Sequence, residues 1–229
     1  MADHYAEVYA QHADQYELLV SREDYEGNIL KTLREIAPLE GLDVVDLGSG
    51  TGRVACLLAP FARSVRAFDA SAHMLEIARA KLAASGLRNW RVDVADHRAV
   101  PLEDHAADVI ISGWSIVYTV VWEDDWQTEL NKALAEMQRV VRPGGTVIIL
   151  ETQGTGFTAP HPPQPVKKYF AYLDAAGFAS TWIRTDYKFV SVAEAQNLTS
   201  FFFEDDMSDR LISQNPAILP ECTGVWWKR

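Results

Sequence analysis

VVDLGSGTGR, residues 44–53, decides the fold of this chain. Gly48, Gly50 and Gly52 alternate directly after a short apolar run, with Asp46 just before them and Arg53 just after. Glycines between a buried strand and a helix let the backbone turn sharply and let a ligand come close. At the carboxyl edge of a parallel sheet, such a turn faces the crevice where ligands bind. The spacing excludes two phosphate cradles. A dinucleotide loop needs G-x-G-x-x-G, and Arg53 stands where its third glycine belongs. A P-loop needs GK[ST], which is absent.

Working outward, the pattern on both sides is strand, helix, strand. LDVVDL (42–47) and SVRAFDA (64–70) read as strands around the helix RVACLLAPFA (53–62). SAHMLEIARAKLAASG (71–86) reads as a helix, with Ser71 as its N-cap and Gly86 beyond its end. WRVDVA (90–95), ADVIISG (107–113) and TVIILET (146–152) read as further strands. An amphipathic helix over 124–141 precedes RPGG, which is expected to turn the chain into the last of these. Five strands alternating with helices call for a parallel sheet covered on both faces by right-handed crossovers. Upstream, a helix over 5–20 is expected to stack Tyr5, Tyr9, His12 and Tyr16 on one face, with a second helix over 23–37. Downstream, the pattern gives a Gly- and Pro-rich loop (154–165), a helix (164–176), a strand (181–190), a helix (191–203) and a closing GVWWKR.

The bulk numbers exclude several classes. With 229 residues, 48% of them hydrophobic, the chain suits one α/β domain with a sizeable core. No apolar stretch is long enough to cross a bilayer, and the N-terminal residues lack the pattern of a secretory signal. A cytoplasmic location without membrane partners is expected. A formal charge of −11, from 21 Lys+Arg against 32 Asp+Glu, argues against nucleic acid. Cys56 and Cys222, far apart in sequence, read as reduced thiols, and the six histidines form no zinc pattern, so no metal is expected.

Several blocks in order resemble the class I S-adenosylmethionine-dependent methyltransferases: VVDLGSGTGR, FDAS (68–71), VADHRAVPLED (94–104), ADVIISG and MQRVVRPGGTVIILE (137–151). The overall pattern is similar to the ubiquinone/menaquinone-type small-molecule enzymes of that family. The resemblance implies a Rossmann-like, doubly wound, mostly parallel seven-stranded sheet with helices on both faces. It also implies an N-terminal helical lid (1–38), a cofactor core (39–152) and acceptor-side elements (153–229) within one domain. The implied cofactor is S-adenosylmethionine, which carries no phosphate and so needs close backbone approach rather than a pyrophosphate cradle. Asp46 would organise the loop and favour the cofactor's amino group, and backbone around Gly48, Ser49 and Gly50 would meet its methionine part. Asp69 would accept the ribose hydroxyls. Asp96, with Asp93 as its competitor, would take the adenine amino group, with His97 beside it. Ala70 and Met74 would flank the adenine, Met74 reading equally well as core. Tyr16 is a candidate to close over the cofactor, and Arg53 is expected on the surface of its helix.

The acceptor side turns aromatic. Trp114 and Tyr118 stand just past a strand end, and Tyr9 and Phe157 are further candidates for the acceptor wall. Trp122 and Trp126 are expected to pack helix against sheet. Such a wall suits a flat or apolar small molecule or a cation held by ring faces. His161, His12 and Tyr118 are the candidates for proton transfer, should the acceptor need it. Methyl transfer to an O, N or C atom of a small metabolite is the expected activity, with a non-catalytic cofactor sensor as the alternative. Monomer and homodimer both remain open.

Overall fold

The computed structural model describes residues 2–203 and 205–229; Met1, at the start of the expected lid, and Glu204 lie outside the described residues. Three helices come first: α1 (Ala2–Gln11), α2 (Ala13–Val20) and α3 (Asn28–Ile36). The alternating part runs β1 (Asp43–Leu47), α4 (Arg53–Leu58), β2 (Ser64–Asp69), α5 (Ala72–Ala84) and β3 (Trp90–Val94). It continues with β4 (Ala107–Gly113), α6 (Val117–Trp122), α7 (Trp126–Val140), β5 (Val141–Thr155) and α8 (Gln164–Ala175). The remainder is β6 (Ala179–Arg184), β7 (Tyr187–Phe189), α9 (Val192–Phe203), β8 (Ser213–Gln214), β9 (Ala217–Leu219) and β10 (Glu221–Lys228).

The main sheet has seven strands in the order β3-β2-β1-β4-β5-β10-β6, and β10 runs antiparallel to both its neighbours. Alternation along the strands splits the core in two. Val44, Val109, Ile111, Ile148 and Leu150 point to the face covered by α3, α4 and α5. Val45, Leu47, Ile110, Val147 and Ile149 point to the face covered by α7 and α8. Because both faces are covered, β1 is buried from Val44 to Leu47 without alternation, Asp46 included. The chain steps outward from β1 through β2 to β3, then returns to β4 on the other side of β1. That reversal opens a crevice at the carboxyl ends of β1 and β4, directly where the glycine stretch leaves the sheet.

The doubly wound sheet and most element boundaries follow the sequence pattern, and Ser71 caps α5 by accepting from Met74 N at 3.3 Å. Five local expectations change. The helix over 5–20 breaks at His12, so α1 and α2 are separate. The helix over 23–37 starts only at Asn28, because Asp24 and Gly27 take positive φ and the Asp24 carboxylate accepts from Asn28 N and Ile29 N. β5 runs from Val141 through RPGG to Thr155, with Gly144 at φ 79°. The strand over 181–190 divides at Thr185–Asp186 into β6, in the main sheet, and β7, in a separate sheet of order β7-β9-β8. Trp114–Trp122, to which the sequence pattern assigned no element, contains the short helix α6. Among the described residues, no helix is long and apolar enough to cross a membrane.

Candidate functional site

β1 ends by delivering Asp46 into the first turn of α4. Its Oδ2 accepts from Ala55 N at 2.9 Å, a carboxylate set where a helix N-terminus leaves backbone donors unpaired. Asp46 is only 1% exposed, and its Oδ1 has no hydrogen-bond partner among the described residues. Burial, with the Asp69 charge nearby, pushes its carboxyl up to about 7. The loop is pinned from β2: Ser49 N donates to Phe68 O at 2.9 Å, and Gly50 N donates to Asp69 Oδ2 at 2.8 Å. Asp69 Oδ1 accepts from Ser71 N at 2.8 Å, and burial raises this carboxyl as well. Gly48 sits at φ +67°, and a Cβ there would lie 1.8 Å from Ser115 Oγ. Only glycine lets the loop pass under the β4–α6 connection.

Above the loop is a cavity of about 410 Å³. Asp46, Gly48, Ser49, Gly50, Asp69, Ala70, Met74, Asp96, His97 and Tyr16 all line it, so the expected cofactor residues meet in one place. Asp96 lines it and Asp93 does not, but both Asp96 oxygens are engaged by the Arg98 side chain, at 2.9 and 2.6 Å, and that pairing holds the carboxyl down at about 2. His97 Nε2 contacts Thr119 Oγ1 at 3.1 Å, and burial lowers its pKa. Each Asp69 oxygen has spare lone pairs beyond its backbone contact, as a carboxylate gripping a diol requires. The unpartnered, buried Asp46 oxygen suits an ammonium. The donor set and the glycine turn therefore fit a nucleoside cofactor with an amino acid end.

A second cavity, of about 620 Å³, adjoins the first, and Tyr9, Tyr16, Arg53, Trp114, Tyr118 and Trp122 line both. Tyr9 and Tyr118 hydrogen-bond through their hydroxyls, and burial raises both phenols. Phe202 of α9 closes the aromatic cluster, its ring centroid 5.1 Å from that of Tyr5 and 5.4 Å from that of Tyr16. Ser71 Oγ donates to Tyr9 O at 2.9 Å, which fastens α1 to the end of β2.

Three expected residues fall outside both cavities. His12, at the α1–α2 break, is exposed, with its ring edge-on to Phe201. His161 and Phe157 stack on each other at 4.1 Å, beneath the Arg210 guanidinium, because β5 carries the 156–163 loop past the sheet edge. His12 and His161 are therefore not placed for proton transfer in this site, and Phe157 does not form its wall. Trp122 lines both cavities rather than only packing, whereas Trp126 packs edge-on against Tyr172 at 5.7 Å.

Two further groups were not expected. Arg53 is not on the surface of its helix: it spans both cavities, donates to Glu23 Oε2 at 2.7 Å and lies 3.9 Å over the Trp114 ring. The side chains of the pair are 16% and 3% exposed. Glu151, near the end of β5, faces the second cavity while 1% exposed. Strand position was the available signal for Glu151; for Arg53 it was the first helical turn, which points side chains back toward the sheet edge.

Residues 44–145 match a family model described as a methyltransferase domain. The demethylmenaquinone methyltransferase of Clavibacter sepedonicus is 32% identical over 63% of this chain and 53% of its own length. The malonyl-[acyl-carrier protein] O-methyltransferase of Salmonella typhimurium is 33% identical over 62% of this chain and 51% of its own. The chain thus spans about half the length of these curated relatives. In fold, it superposes on a SAM-dependent methyltransferase from Aquifex aeolicus with a TM-score of 0.52 at 20% identity, over 85% of this chain and 87% of that one. Motif order, sheet order and sequence likeness agree: over residues 44–145 this chain is similar to the methyltransferase domain family, on a doubly wound sheet of the kind that its solved neighbour has.

Proposed function

We propose that this chain binds S-adenosylmethionine in the cavity over the glycine turn and methylates a small molecule held in the adjoining aromatic cavity. One observation carries the reading: two adjoining cavities share lining residues at the β1/β4 crevice, one lined by the loop and its two acids, the other by rings. When bound, the cofactor supplies an electrophilic methyl on a sulfonium whose departure as a thioether needs no proton. The chain's own part is alignment and exclusion of water. Asp46 Oδ1 takes the amino group, Asp69 takes the ribose hydroxyls, and Ala70 and Met74 flank the adenine, with Asp96 and His97 at its edge. Tyr16 and Tyr9, held by residues 1–38 as a lid, cover the site. Trp114, Tyr118 and Trp122 wall the acceptor, with residues 153–229 completing that side.

The relatives' names give different acceptors, demethylmenaquinone in one and malonyl-[acyl-carrier protein] in the other, so the acceptor of this chain is read from its own cavity: apolar and ring-lined. A cytoplasmic setting without nucleic-acid partners accords with the −11 charge and two free thiols. The test is calorimetric titration with S-adenosylhomocysteine, with NADH as control. Micromolar binding of the first alone is expected. Asp69→Ala, which removes a charge-assisted partner worth about 1.5–3 kcal/mol, should weaken it roughly 10- to 150-fold. Unchanged binding in Asp69→Ala, or preference for NADH, would sink the reading.

A further inference from the structure

The second cavity holds a polar group that its aromatic wall does not explain. Glu151 sits where β5 leaves the apolar run TVIIL, and its carboxylate turns inward under α6 and α8. Its Oε1 accepts from Val117 N at 3.0 Å and from Tyr169 OH at 3.2 Å, so that oxygen holds the start of α6. Oε2 is buried and has no hydrogen-bond partner among the described residues. Capping a short helix needs one oxygen and no buried charge. A second, orphaned oxygen on a cavity wall among Val117, Val120 and Val166 is a group left open toward whatever fills that cavity.

The other candidates for proton transfer are absent or engaged. His12 and His161 lie outside the cavity. Tyr9 and Tyr118 hold each other, and their phenols are pushed far above neutral pH. Glu23 lines the cavity too and its Oε1 has no hydrogen-bond partner among the described residues, but its Oε2 is paired with the Arg53 guanidinium, which holds it as the carboxylate of an ion pair; Lys168, on α8, lies over the Trp126 ring at 4.8 Å. Among the described residues, no cluster of His, Cys, Asp and Glu is arranged to hold a metal ion.

We propose that Glu151 Oε2 receives the acceptor's proton, so that the acceptor is an apolar molecule whose reacting atom is a hydroxyl oxygen or an ammonium nitrogen. This rests on the methyl-transfer reading above and names its substrate class. The X–H bond breaks with its electron pair left on X, and the proton passes to Oε2. The new X–CH3 bond forms from a lone pair on X, while the pair of the broken S–CH3 bond stays on sulfur. The proton then leaves to solvent when the product departs. Burial places the Glu151 carboxyl at about 8 in the free protein, so it exchanges protons within the working range. The groups facing it are Tyr169 on α8 and Tyr118 on α6, with Arg53, Glu23 and Lys168 further round the same wall.

The test compares wild type with Glu151→Gln, whose amide oxygen still accepts from Val117 N and Tyr169. Both proteins, loaded with S-adenosylhomocysteine, are titrated at about pH 8 with naphthol, naphthylmethylamine and methylnaphthalene. At least one X–H probe should bind wild type about tenfold more tightly than methylnaphthalene, and that preference should fall below about threefold in Glu151→Gln. Methylnaphthalene and S-adenosylhomocysteine should bind both proteins alike. Which probe is preferred tells hydroxyl from ammonium. Where that probe is methylated, the wild-type rate should rise with pH through about 8, and Glu151→Gln should lose the step. Equal binding of the three probes, no binding of any, or a preference that survives in Glu151→Gln overturns the proposal. Failure of wild type to bind S-adenosylhomocysteine is a separate result, which removes the methyl-transfer reading and this inference together.

Discussion

Gly48→Ala tests whether the turn under Ser115 is what shapes the cofactor cavity. An alanine at φ +67° is held in the left-handed region, at a cost of about 1–2 kcal/mol. Its Cβ would also fall 1.8 Å from Ser115 Oγ and 2.2 Å from Ser115 Cβ. A Ser115 rotamer change moves Oγ but not Cβ, so backbone must shift, adding the roughly 1–3 kcal/mol typical of overpacking. The sum, about 2–5 kcal/mol, should appear partly as lost stability in urea and partly as lost S-adenosylhomocysteine affinity. Ser115→Gly removes both clashing atoms; the next contact, Ser115 Cα at 3.7 Å, is ordinary. The double variant Gly48→Ala/Ser115→Gly should therefore recover about 1–3 kcal/mol, the overpacking part alone. Urea denaturation and calorimetry on the four proteins give the coupling. Additive effects of the two substitutions, or a Gly48→Ala protein within about 0.5 kcal/mol of wild type, would refute the reasoning.

Other outcomes follow from the same geometry. The Asp46 carboxylate is the form that pairs with an ammonium, and its free-protein value is about 7, so S-adenosylhomocysteine affinity should fall as pH drops below 7, with proton release on binding. Asp46→Asn should abolish that slope, as titrations in buffers of different ionisation enthalpy will show. Arg53→Met leaves the Glu23 carboxylate buried without its cation and should cost about 3–5 kcal/mol in urea, whereas adding Glu23→Gln should restore much of it. His12→Ala and His161→Ala, both outside the two cavities, should leave cofactor affinity within about twofold.

The glycine turn, the strand–helix alternation and the acids at the ends of β1 and β2 were legible because each leaves a local mark: backbone freedom, period, or a polar group closing an apolar run. The residues that sequence misplaced answer to longer-range packing. His161 and Phe157 lie in a Gly- and Pro-rich stretch with no period, and only the extension of β5 to Thr155 shows which way that stretch leaves the sheet. Arg53 and Glu151 look like solvated charges next to apolar segments. Arg53 is drawn inward by Glu23, which lies thirty positions upstream in the connection between α2 and α3. Glu151 is covered by α6 and α8, and α6 itself was hidden in a run of aromatic and β-branched residues with low helix propensity. The break of the first helix at His12 moved that ring off the face it shared with the tyrosines.

The place of β10 in the sheet has a consequence for the order of assembly. It is the last strand in chain order, yet it lies between β5 and β6. During synthesis, β1 to β5 can pair among themselves, so the glycine turn and Asp69 can take their positions on a half-built sheet. β5 then carries an open edge, and β6 has no neighbour in the main sheet, until β10 arrives to join them. Pairing at such separation is slow to form. The side of the sheet that bears the glycine turn is thus ready early, while the wall bearing Glu151 is sealed only when β10 arrives, and the nascent chain spends that interval with the VIIL run of β5 at an open sheet edge.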